Sequence, residues 1–168
     1  SALSEQNIDH EFEVIIVNNI LDNSANDFFA TTQGITLLQH TENQKLSVSF
    51  NKGASTAQGE YLIFICDYIL LQPNCINELI NTLKHNSKCG VIGAKLLNTK
   101  GYLLEAGDYT APSKNIDAMF PDNSYLRAVN FSTSLLAIFR DIFFDFGGFS
   151  DQSESCFDVD WGLRMLKA

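Results

Sequence analysis

Basic residues are scarce in this 168-residue chain: 11 Lys and Arg stand against 20 Asp and Glu, a formal net charge of −9. That shortage excludes broad nucleic-acid binding, which neutralises phosphates with Lys and Arg. It equally excludes docking on anionic lipid through this domain. Long hydrophobic runs are also lacking. The best, Tyr61 to Leu71, carries Asp67 in its middle and is too short to cross a bilayer, so this segment inserts into no membrane. The first residues show neither the basic patch nor the cleavage site of a secretory signal, and a cytoplasmic location is expected. The four cysteines, Cys66, Cys75, Cys89 and Cys156, match neither CxxC nor a zinc framework; free, mostly buried thiols are expected. His10, His40 and His85 are scattered without a carboxylate or Cys at ligand spacing, which points to surface or structural roles. Ser132 and Ser134 have no His nearby in the chain and do not read as nucleophiles.

What is present is material for a core. Hydrophobic residues make up 45% of the chain and thirteen are Phe, each ring able to remove a large apolar area from water. Phe12 to Val17 (FEVIIV) reads as a strand covered on both faces and ends in the turn-forming Asn18 and Asn19. Ile35 to Leu38 and Tyr61 to Cys66 (YLIFIC) read as further strands, as do Gly90 to Leu97 and Val129 to Phe139. After Pro73 and Asn74, the apolar positions Ile76, Leu79, Ile80 and Leu83 predict a helix. Another helix begins near Asp158, and residues 107–127 read as a long loop. Apolar strands alternating with helices predict one α/β domain with a mostly parallel sheet. No repeat or low-complexity tract is visible.

Four stretches carry a resemblance. They are EVIIVNN (Glu13–Asn19), NKGASTAQGEYLIFICDYILLQP (Asn51–Pro73), GAKLLNTKGYLLEAGD (Gly93–Asp108), and VNFSTSLLAIFRDIFFDFGGFS (Val129–Ser150) followed by CFDVDWGLR (Cys156–Arg164). In this order they resemble the family-2 glycosyltransferases of the GT-A fold, bacterial rhamnosyl and O-antigen-type transferases among them. The resemblance implies a single glycosyltransferase-like domain over residues 1–168, with a mostly parallel central sheet flanked by helices. It also implies a domain incomplete at both ends, because the family's first strand has no counterpart and the last helix stops short.

The same resemblance implies an inverting transfer of a hexosyl or deoxyhexosyl group. The donor would be a nucleotide-diphosphate sugar and the acceptor a glycan or a lipid-linked molecule. Asp158 matches the carboxylate that serves as base, with a helix N-cap as the alternative role. Asn18, Asn19, Asn51 and Asp67 match nucleotide-sugar-binding positions, and Asn51 could equally be a helix-end residue. Asp160 and Trp161 fall on the acceptor side, with core packing the alternative for Trp161. A divalent cation, Mg²⁺ or Mn²⁺, is implied as cofactor. Cys66, Asp67 and Tyr68 stand where the family has Asn-Asp-Asp, so Asp67 is the carboxylate left to hold the ion. Tyr68 occupies the usual ligand position, and a neutral phenol is a poor ligand for a hard cation. Phe157 replaces the Glu that precedes the base. These changes frame a second reading, a catalytically degenerate module that binds nucleotide, glycan or a partner protein.

Overall fold

The computed structural model of the chain describes residues 3, 5–19, 29, 32–86, 89–105, 132–152 and 156–167. Among these residues, seven strands and four helices follow in the order β1 (Val14–Asn18), β2 (Ile35–Gln39), α1 (Leu46–Thr56), β3 (Tyr61–Ile65), α2 (Cys75–His85), β4 (Val91–Gly93), β5 (Leu96–Leu97), β6 (Leu103–Glu105), β7 (Leu135–Phe139), α3 (Arg140–Asp145) and α4 (Phe157–Leu166). None of the described helices is long and apolar enough to cross a membrane.

The expected mostly parallel sheet is corrected by the pairing. β1 and β2 are parallel, with Val14 opposite Ile35 and Asn18 opposite Gln39. The larger group is antiparallel: β7 lies between β3 and β4 and runs against both. β7, not β3, is therefore the central strand. The stretch 90–97 splits, because β4 joins β7 while β5 turns away to pair with β6. Of the expected strand 129–139, only Leu135–Phe139 is extended and paired; Thr133 and Ser134 form a turn, and 129–131 lie outside the described residues. The loop read at 107–127 lies outside them too.

Strand alternation explains the layering. On one face of β7, Leu136 and Ile138 join Leu62 and Phe64 of β3 in a core completed by Phe143, Phe149, Phe157 and Trp161. On the other, Leu135 and Ala137 meet Leu79 and Leu83 of α2. The predicted helical stripe is realised, with Ile76, Leu79, Ile80 and Leu83 all buried. β1 is less covered than its sequence implies: Val14 to Val17 are only half-buried, and Phe12 is exposed before the strand begins.

α1 buries small residues, Ser47, Ser49 and Ala54, which lets it lie close on β1. A Cβ on Gly53 would stand 3.3 Å from Val17 Cγ2, so glycine sets that approach. After α3 the chain reverses through Gly147 and Gly148 at φ +74° and +66°, a region open to glycine without strain. A Cβ at Gly148 would also meet Asn51 Oδ1 at 2.9 Å.

Candidate functional site

The direction of the strands decides which side chains meet. Glu13, just before β1, accepts through Oε1 from the amides of Gln58 (2.7 Å) and Gly59 (3.1 Å), just before β3. Asn19, just after β1, bonds to the segment that leads into α1. α1 thus runs back along β1 and delivers the chain to the start of β3, so β1, β2 and β3 point the same way. Their carboxyl ends share one edge, and β7, running oppositely, places Ser132–Ser134 at that edge. In open α/β folds ligands bind outside the carboxyl ends of the strands.

Asn18 and Asn19 are both engaged there. Buried Asn18 donates through Nδ2 to Gln39 Oε1 at 2.9 Å, and its carbonyl accepts from the His40 amide at 3.1 Å. Asn19 donates to Asn43 Oδ1 (3.0 Å) and the Gln44 carbonyl (2.7 Å), and accepts from the Gln44 amide (2.8 Å). The two asparagines thereby lock the end of β1 to β2 and to the entry of α1.

Beside them lies a buried pair that sequence spacing did not reveal, His40 Nε2 and Ser49 Oγ, 3.1 Å apart. Burial, and then the charge of Lys52, hold the His40 pKa below its usual value. The imidazole is therefore buried neutral, and the unfolded chain takes up its proton more readily than the folded one. The stability this contributes is fully present above an unfolded-state pKa of about 6.5 and is lost as pH falls below it. In urea titrations between pH 7.5 and 5, His40→Gln should flatten the acid-side loss of stability; an unchanged slope would assign that loss to other groups.

At the end of β3, buried Cys66 donates its amide to the Ser134 carbonyl at 2.9 Å, and burial pushes its thiol pKa up. Asp67 is exposed, and no described residue bonds to its carboxylate. Tyr68 is 68% exposed as a residue, yet its hydroxyl reaches Ser134 Oγ at 2.8 Å. That bond draws the phenol pKa down, but burial, the Cys66 thiol and the Glu105 carboxylate outweigh it and hold the phenol above its ordinary value. The Tyr68–Ser134 pair escaped the sequence because 66 residues separate its members. Among the described residues, no three His, Cys, Asp or Glu side chains gather to hold a metal ion.

The remaining candidates sit elsewhere. Asn51 donates to the Phe149 carbonyl (2.7 Å) and accepts from the Phe149 amide (3.0 Å), so its amide clamps α1 to the Gly147–Gly148 turn. Asp158 is not the helix cap; that position is Cys156, and Asp158 lies in the first turn of α4. One of its oxygens accepts from the Val159 amide at 2.9 Å, and no described residue bonds to the other. The carboxylate of Asp160 is taken by Arg164 at 2.9 Å. Arg164 also donates to the carbonyls of Phe146 and Gly148. Trp161 is 0% exposed and packs in the core, the alternative role its sequence position allows. No disulfide joins the four cysteines; Cys66 is buried and Cys156 exposed.

Comparison with known proteins agrees with this architecture. Residues 1–150 match the model of Glycosyl transferase family 2. An uncharacterized glycosyltransferase of Haemophilus influenzae is 23% identical over 164 residues, 96% of this chain and 54% of that protein. The chain thus spans about half the length of the curated relative it matches. Among solved structures, the mannosyltransferase PcManGT of Pyrobaculum calidifontis, in complex with GDP-Man and Mn²⁺, superposes with a TM-score of 0.63 at 16% identity, covering 89% of this chain and 41% of that one. S. aureus TarS 1-349, in complex with UDP, superposes with a TM-score of 0.65 at 13% identity, covering 96% and 48%. Such identities show a shared α/β fold. With the family model matched over most of its length, the chain belongs to the family 2 glycosyltransferases.

Proposed function

We propose that this domain binds the nucleotide-diphosphate donor of an inverting sugar transfer, with a glycan or lipid-linked molecule as acceptor. The convergence of β1, β2 and β3 supports the donor site: it gathers Asn18, Asn19, Asp67 and Tyr68 at one strand-end edge. The edge is built as a ligand crevice is in open α/β folds. The solved neighbours that carry GDP-Man or UDP share the fold.

Within this reading Asp158 is the general base that takes the proton of the acceptor hydroxyl. One observation favours it over Asp160: one of its carboxylate oxygens is free of partners among the described residues, whereas Asp160 is held by Arg164. Asp67, exposed just after β3, borders the donor's diphosphate in this reading. Asn51, which holds Phe149 through both its nitrogen and its oxygen, shapes the crevice through the turn it clamps.

Calorimetric titration with UDP and with GDP tests the donor site. Binding of one nucleotide in preference to the other is expected, and heat from neither would remove the donor reading for this domain.

A further inference from the structure

We infer that the donor's diphosphate is held at the end of β3 without a divalent cation, by hydrogen bonding to the Tyr68–Ser134 hydroxyl pair. The inference rests on the donor reading above and specifies how that site takes its ligand.

Hard cations such as Mg²⁺ and Mn²⁺ are held by ionised or strongly polar oxygens, commonly one or two carboxylates together with substrate phosphates. The three residues at the family's metal position supply one carboxylate where the family has two. Cys66 presents a soft sulfur, and its buried thiol donates to the Thr133 carbonyl at 3.9 Å. Tyr68 presents a phenol that is already bonded to Ser134 Oγ at 2.8 Å. Recruiting it to a cation would break that bond. Asp67 is the one hard ligand of the triplet.

The hydroxyl pair supplies a different means of holding phosphate oxygens. Two hydroxyls carry two hydrogens, and the bond between them uses one. The other can be donated to an anion at the edge. The pair is also fixed in place. Ser134 accepts from the Cys66 amide through its carbonyl, and its own amide donates to Ser132 Oγ at 3.2 Å. Ser134 is 8% exposed, whereas the Tyr68 ring stands out at the rim. A donor group on this rigid frame loses little freedom when a ligand arrives.

The sign of the Asp67 contribution reverses as a result. With a cation, Asp67 would be an essential ligand. Without one, it is a negative charge beside a phosphate and weakens binding. The two arrangements therefore predict opposite outcomes for one substitution.

The experiment titrates the chain with UDP and GDP by calorimetry, in EDTA and again in Mn²⁺, for the wild type, Tyr68→Phe, Ser134→Ala and Asp67→Asn. Circular dichroism and thermal melts confirm that each variant is folded; Tyr68→Phe keeps the exposed ring and removes only the oxygen. The Kd for the bound nucleotide should be the same within about twofold in EDTA and Mn²⁺. Tyr68→Phe and Ser134→Ala should each weaken binding about fivefold, the usual size for one lost hydrogen bond. Asp67→Asn should tighten it by about two- to fivefold. Binding that appears only with Mn²⁺ and vanishes in Asp67→Asn would overturn the inference while leaving the donor site standing. Binding in EDTA that neither hydroxyl variant alters would overturn the assignment to this pair. Absence of binding under both conditions would remove the donor site and the inference together.

Discussion

Replacing Asp158 with Asn lowers sugar transfer by about 10²–10⁴-fold, the usual contribution of a positioned base, while nucleotide affinity stays within about twofold of wild type. The substitution suits the site because the amide oxygen can still accept from the Val159 N–H, so the first turn of α4 keeps its bond. What disappears is the ability to accept a proton. Asp160→Asn is the matched control. Its carboxylate is paired with Arg164, which also reaches the carbonyls of Phe146 and Gly148, so its loss should loosen the α3–α4 turn more than it slows transfer. Transfer by Asp158→Asn within about threefold of wild type would end the assignment. A parallel fall in nucleotide affinity would recast Asp158 as a binding group.

Trp161→Ala costs about 3–5 kcal/mol of stability, in the range of large aromatic truncations in a core. The indole is fully buried and lies 6.0 to 6.2 Å, centroid to centroid, from the rings of Phe143, Phe146 and Phe149. These rings come from α3, the turn after it and the segment leading toward α4, so one side chain fastens three pieces of chain. Its removal leaves a cavity that flanking backbone, fixed by the Asn51 clamp and the Arg164 bonds, cannot easily fill. Urea unfolding measures the cost. A loss below about 1 kcal/mol combined with impaired transfer would restore the acceptor-side role.

Much of the fold was legible because periodicity and burial are local. The stripe of Ile76, Leu79, Ile80 and Leu83 defined α2, and the apolar runs VIIV and YLIFI defined β1 and β3. Strand direction was not legible. An apolar run such as LLAIF states that both faces are covered, but carries no mark of which neighbour it joins or in what sense, so β7 was read as one more parallel strand. The side chains of the site were visible singly and not in their pairings. Asn51 stood at a family position, yet its two bonds run to Phe149, 98 residues away. Tyr68 was noticed for lacking a charge, and its value as a donor emerged only beside Ser134.

Glu13 has a consequence of a different kind. Among the described residues no backbone hydrogen bond joins β1 to β3, and the two pairings remain separate ladders. The β1–β2 ribbon is attached to the rest by the carboxylate of Glu13 at one end, the Asn19 contacts at the other and the face of α1 between them. Such a joint is made of side chains, so opening it need not melt either ladder. The ribbon should therefore behave as its own cooperative unit, opening at lower free energy than the Phe-lined layer around β7. Asn18 and Asn19 travel with that unit, whereas Tyr68 and Ser134 stay with the firmer one. The two halves of the proposed crevice should then differ in rigidity, with slower amide exchange in β7 than in β1.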